Sequence, residues 1–168
     1  MITLLTGKKG SGKTKKLIEM ANAALEKTNG NVVVVEKGLK LTYDISHAAR
    51  LIDIDAYDVK GGKGLYGFLA GICAGNYDVT DILVDSTLKI TGTGAEVMDL
   101  LVNDLKKLEK ESGANFVLSV SAADEEIPES REGVCGEISP NGMQAGEGGF
   151  WAAFPFCGCF SPKSPPGF

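Results

Sequence analysis

Apolar residues along this chain fall into short blocks of two alternating kinds. Met1 to Thr6 is a compact apolar run closed by Gly7, the pattern of a buried strand, and Lys13 to Lys27 carries Leu17, Ile18, Ala21, Ala24 and Leu25 at helical spacing. A turn at Asn29–Gly30 leads to four successive valines, Val32 to Val35, β-branched as expected of a strand covered on both faces. Arg50 to Val59 reads as a third strand of alternating character, and Gly64 to Asn76 as a glycine-interrupted apolar helix behind it. Asp81 to Ser86 is a further apolar strand ending in a carboxylate. From Gly94 onward Val97, Met98, Leu101, Leu105 and Leu108 share one helical face, with Lys106, Lys107 and Lys110 in the last turns and Gly113 as the stop. Asn115 to Ala122 follows as another buried strand. Strands alternating with helices at this spacing predict a doubly wound α/β sheet, mainly parallel, with right-handed crossovers and helices on both faces.

The pattern stops after about Gly133. The segment 133–168 holds five of the six prolines, three of the four cysteines, the only tryptophan and five of the seven phenylalanines, with no apolar periodicity. The chain of 168 residues therefore divides into one domain, 1–132, and an irregular Gly/Pro/aromatic-rich tail, 133–168. The tail's aromatics suit an oligomer or partner surface, and a disordered extension or a reading-frame accident gives the same mix. A net charge of −5 gives no general footprint for nucleic acid. Cys73, Cys135, Cys157 and Cys159 form no CxxC pair and no apolar run is long enough to cross a bilayer, so a soluble protein of the reducing cytoplasm is expected.

The chemistry enters at "GKKGSGKT", Gly7 to Thr14, which satisfies GxxxxGK[ST] between an expected strand and an expected helix. Glycines let the backbone curl so that successive N–H groups point inward at phosphate oxygens, and the helix starting near Lys13 adds its N-terminal dipole. Gly7, Lys8, Lys9, Gly10, Ser11, Gly12, Lys13 and Thr14 are thus the candidate phosphate site, with Lys13 at the β/γ-phosphates and the Thr14 hydroxyl as a Mg²⁺ ligand. On these residues the chain resembles the P-loop NTPase superfamily, which implies a three-layer α/β fold binding ATP with Mg²⁺. It is also similar to small bacterial ATP-binding proteins that share this opening and a "DILVDS"-type strand, a likeness that names no activity. By the same resemblance Asp85 stands at the Walker B position, on a strand beside the P-loop, and is the second metal ligand.

Departures from the family pattern narrow the range of activities. Ser86 occupies the place where many such ATPases carry the Glu that polarises water, and neither DxxG nor [NT]KxD is present, so guanine selectivity is unsupported. Glu36, ending the valine strand, is the best-placed candidate base, and a carboxylate capping a strand end is the alternative; Asp44, Asp53, Asp55, Asp124 and Glu125 rank below it. Arg50 and Arg131, the only arginines, and the single His47 read as surface residues. Lys8 matches the extra lysine of the deviant loop "KGGxGKT" of dimeric ATPases, while Lys9 stands where those loops have glycine. "KGGKG", Lys60 to Gly64, reads as a solvated turn before a helix, and "CGC" at Cys157 to Cys159 lacks a second ligand pair. The expectation is a Mg-dependent ATPase whose nucleotide state acts on a protein partner or a second copy. Its alternatives are a small-molecule or nucleoside kinase and a non-catalytic ATP-binding scaffold.

Overall fold

In the computed structural model, which describes residues 1–38 and 40–121, the five apolar blocks become five strands of a single sheet. In chain order these are β1 (Ile2–Thr6), β2 (Asn31–Glu36), β3 (Arg50–Asp53), β4 (Val79–Val84) and β5 (Asn115–Val120). Their order across the sheet is β1-β5-β4-β2-β3, and every pairing is parallel. Parallel strands need crossovers that cover the faces, which is why β1 and β2 are nearly continuous apolar runs, whereas β3, at the edge of the sheet, is only partly buried. All five C-terminal ends lie along one edge of the sheet, with Thr6, Val120, Val84, Glu36 and Asp53 as its last strand residues.

Two apolar layers sandwich the sheet. On one face Ile2, Leu4, Val33, Val35, Ile82, Val84, Phe116 and Leu118 pack with residues of α2 (Gly61–Gly75), α3 (Thr87–Thr91) and α4 (Ala95–Ser112). These include Leu65 and Leu69 of α2, Ile90 of α3, and Leu101 and Leu105 of α4. On the other face Leu5, Val32, Val34, Leu83 and Val117 meet Leu17 and Ala21 of α1 (Lys13–Lys27) together with Leu41, Ile45 and Ala49. The arrangement is the expected three-layer α/β fold.

The differences from expectation are local and have visible causes. The Arg50 to Val59 strand is shorter than the periodicity implies, because Asp53 accepts the Asp55 N–H and turns the chain into a 3₁₀ segment over Ile54–Tyr57. "KGGKG" is not a turn ahead of the helix: Gly61 to Gly64 form the first turn of α2. Gly62 belongs there because a Cβ would lie 3.1 Å from Val97 Cγ1, so its absence lets α2 approach α4 closely. Among the described residues no helix crosses from β2 to β3. The loop from residue 37 to 49 instead drops Leu41, Ile45 and Ala49 onto the sheet beside α1, and Asn22 of α1 bonds it at both Asp44 O and Ser46 N. The short α3 directly after Asp85–Ser86 was not expected at all. The tail 133–168, with its cysteines and aromatics, and Asp124, Glu125 and Arg131 lie outside the described residues.

The glycines separate into two energetic classes. At Gly30 an added Cβ would sit 2.5 Å from the Asp78 carbonyl oxygen, a backbone atom that is held in place by the Asn31 N–H. Gly67 and Gly71, on the exposed side of α2, have open space in the Cβ direction. Gly30→Ala is therefore expected to lower stability by about 2 kcal/mol or more, as overpacking does. Gly67→Ala and Gly71→Ala should each raise it by about 0.5–1 kcal/mol through helix propensity and chain entropy. Urea denaturation of the three variants checks both signs.

Candidate functional site

β1 ends at Thr6 and the chain then curls through Gly7 to Gly12 before entering α1. Gly10 and Gly12 have φ of 86° and 88°, the left-handed region in which side chains other than glycine are strained. The Ser11 N–H closes the turn onto Lys8 O at 3.1 Å, and Lys16 N–H begins the helix on Gly12 O at 3.0 Å. Lys13, only 6% exposed, folds across the loop, its Nζ donating to Gly7 O and Lys8 O at 2.8 Å each and to Ser11 Oγ at 3.4 Å. Burial lowers its pKa, and the nearby charge of Asp85 partly offsets that. Lys8 and Lys9 are exposed, so the loop carries one enclosed and two solvated ammonium groups.

Asp85 follows directly on β4, and its backbone N–H is held by Val35 O at 2.8 Å. Its carboxylate, in a residue 9% exposed, gathers three hydroxyl groups. Thr14 Oγ1 (3.1 Å) and Ser119 Oγ (2.8 Å) donate to Oδ1, and Ser86 Oγ donates to Oδ2 at 2.9 Å. Ser119 Oγ in turn accepts the Ser86 N–H at 2.8 Å, closing a ring of bonds across three elements. Asp85 stands at a strand end beside the glycine loop, as expected, although β4 is not the neighbour of β1: β5 lies between them. That insertion is what brings in Ser119, which sequence reasoning missed; its only signal was a hydroxyl inside the otherwise apolar run of β5.

Thr14 and Asp85 together offer one hydroxyl and one carboxylate oxygen 3.1 Å apart at the mouth of the glycine loop. Hard oxygen donors in this number suit Mg²⁺, which keeps several waters and shares the rest of its shell with phosphate oxygens. Among the described residues no group of three or more His, Cys, Asp and Glu side chains is placed to hold a metal.

The other carboxylates of the same edge have structural partners. Glu36 is 1% exposed, and its oxygens accept the N–H groups of Lys40 (3.0 Å) and Leu41 (3.2 Å). Asp53, its register partner on β3, accepts from Gly38 N and Asp55 N. The two side chains thus clamp the loop that replaces a crossover helix. Arg50 starts β3 and so stands at the opposite edge of the sheet, and His47 is exposed in the loop before it.

A strand, a glycine loop holding its lysine, a helix, and an aspartate meeting the helix's first threonine across an all-parallel sheet are now in place. The solved structure of flagellar accessory protein FlaH from Methanocaldococcus jannaschii superposes with a TM-score of 0.53 at 16% identity, covering 77% of this chain and 63% of that one. This is the P-loop NTPase fold. The chain spans under two thirds of FlaH, and at this identity the likeness concerns the fold. The pCW3 conjugation coupling protein TcpA, solved as a monomer form with ATPγS, gives a TM-score of 0.41 at 18% identity over 75% of this chain and 44% of that one. No protein-family profile matches the chain, and no curated protein matches it. Among the described residues no helix is long and apolar enough to cross a membrane.

The clamp makes a stability prediction. Glu36→Ala leaves the buried N–H of Leu41 without its acceptor, while the exposed Lys40 keeps Gly38 O at 2.7 Å, and should cost about 1–3 kcal/mol, the range for one orphaned donor. Thermal unfolding of the variant measures it, and Glu36→Gln, which keeps an acceptor oxygen, should recover a large part.

Proposed function

We propose that this chain binds ATP with Mg²⁺ in the P-loop and is a slow ATPase whose nucleotide state acts on a protein partner or a second copy. The observation that carries the reading is the hydrogen bond from Thr14 Oγ1 to Asp85 Oδ1, 3.1 Å long, beside the enclosed Lys13. It unites the two metal-ligating groups expected from the P-loop pattern across 71 residues of chain. Gly7, Lys8, Lys9, Gly10, Ser11 and Gly12 supply the backbone cradle, Lys13 the charge for the β- and γ-phosphates, and Thr14 and Asp85 the protein ligands of the metal. Mg²⁺, when bound, neutralises phosphate charge and draws electrons from the oxygens it touches. Lys13 is suited to the same task on the protein side, because a cation enclosed by carbonyls in a partly desolvated loop attracts phosphate more strongly than one in water.

Slow turnover is expected from the carboxylates. Ser86 stands beside Asp85 where a water-polarising Glu is usual in such ATPases. Glu36 directs both oxygens to backbone N–H groups of its own loop. We assign Glu36 to holding that loop, and the base for hydrolysis to a group supplied from outside the described residues, by a partner or a second copy. The same engagement favours a second reading, an ATP-binding scaffold in which the nucleotide is retained intact. The free, buried thiol of Cys73 accords with action in a reducing cytoplasm.

Phosphate release from ATP decides between the two. The ATPase reading expects steady, Mg²⁺-dependent release that disappears in Lys13→Ala and falls at least about tenfold in Asp85→Asn, the size of one lost charge-assisted ligand contact. ATP recovered unchanged after long incubation with the full chain, despite saturable binding by calorimetry, would establish the scaffold instead.

A further inference from the structure

The two edges of the sheet are built differently. β3, at one edge, has four residues, opens on Arg50, closes on Asp53 and buries only Ile52 fully. Short length and charged ends are the usual protection of a strand whose outer backbone groups face water. β1, at the other edge, reads Ile-Thr-Leu-Leu-Thr and is buried at all five positions, with no charge, no proline and no shift of register against β5. Among the described residues no strand lies beyond it.

The Phe116 N–H donates to Met1 O at 2.8 Å, and this bond fixes the direction of every backbone group in β1. In a parallel strand the N–H and C=O of one residue face the same neighbour and those of the next residue face away, so Thr3 and Leu5 face β5 while Ile2, Leu4 and Thr6 direct both groups outward. These three residues are 2%, 6% and 4% exposed, and among the described residues none of their outward N–H groups has an acceptor. Buried backbone groups are nearly always paired, so the edge is made to receive a strand.

We propose that the outer edge of β1 is a homodimer interface, where the sheets of two copies join through antiparallel β1 strands. The hydrogen-bonding pattern selects the occupant, because the outward set Ile2, Leu4 and Thr6 is symmetric about Leu4. A two-fold axis at Leu4 lays the second β1 alongside with Ile2 opposite Thr6, Leu4 opposite its own counterpart, and Thr6 opposite Ile2. Each of these is the kind of antiparallel pair that exchanges both bonds, so none of the outward groups is left over. A slip of one residue sets outward groups against inward ones and loses the pairing, which pins the register. Such an interface uses the same patch on both copies and closes at two. In this register Met1, 59% exposed, stands opposite Gly7 of the second copy and adds apolar cover at both ends of the pair. The charge of the Met1 ammonium is already met by Glu109 at 3.0 Å. The interface goes beyond the nucleotide reading and does not rest on it, since it uses only backbone groups of β1.

Light scattering and backbone hydrogen exchange of the full chain, across a dilution series and without nucleotide, test this. At high concentration the mass should be that of two chains, and the N–H groups of Ile2, Leu4 and Thr6 should exchange as slowly as those of Thr3 and Leu5. Dilution to the monomer should speed Ile2, Leu4 and Thr6 at least about tenfold and leave Thr3 and Leu5, which are bonded to β5, unchanged. In a dimer mixed from isotope-labelled and unlabelled chains, the Hα atoms of Thr3 and Leu5 of opposite copies should show a nuclear Overhauser contact. They form the close pair of this register, whereas within one strand the two residues lie about 6–7 Å apart. A chain that is monomeric at every concentration overturns the proposal, and so does a dimer that lacks the Thr3–Leu5 contact or leaves Ile2, Leu4 and Thr6 in fast exchange. Slow exchange of these three in a monomer gives the edge to another part of the same chain, which overturns it as well. Because no nucleotide is present, ATP binding can fail without altering any of these outcomes.

Discussion

The carboxylate of Asp85 accepts from Thr14, Ser86 and Ser119, and the organisation of the phosphate edge depends on that convergence. A carboxylate is an acceptor only, and a buried one is costly unless its lone pairs are filled. Three hydroxyl donors from three elements meet the requirement without a cation in direct contact. Each donor also fixes an element: Thr14 the start of α1, Ser119 the end of β5, and Ser86 the entry to α3. The site is thus preorganised by the same bonds that hold the edge of the sheet together.

Glu36 and Asp53 show the opposite use of the same position in neighbouring strands. Both end a strand at the same edge of the sheet, in register with each other, and both accept from backbone N–H groups of the loop that follows β2. That loop has no helix to satisfy its polar groups, so the two carboxylates replace the helical hydrogen bonds of the other crossovers. One edge therefore carries carboxylates of two kinds, one served by exchangeable hydroxyls and two committed to backbone. The division between Asp85 and the two scaffold carboxylates comes from the donors, since all three side chains end in the same acceptor group.

Much of the layer structure was legible because its causes are local. Val32 to Val35, the 3.6-residue spacing of Leu17 and Ala21, and that of Leu101, Leu105 and Leu108 each specify an element by burial pattern, and the structure places them accordingly. The glycine loop was legible for a similar reason: a left-handed backbone at Gly10 and Gly12 demands glycine, so the residue type reports the conformation. The β2–β3 connection was not, because Leu41, Ile45 and Ala49 have no helical period and contribute to the core only once α1 is beside them. α3 was hidden too, since five residues carry too short a pattern to register.

By itself the sequence determined the α/β class, the strand–loop–helix around the glycine loop, and Lys13, Thr14 and Asp85 as the candidate groups of its site. These depend on backbone freedom, side-chain spacing and residue type, all of which are written locally. Only the tertiary structure decided that β5 stands between β1 and β4, that Ser119 therefore reaches Asp85, and that Glu36 commits its carboxylate to its own loop. Those outcomes depend on which strand lies beside which, and strand order is set by packing the helices onto the two faces, a collective balance that no single stretch of residues encodes.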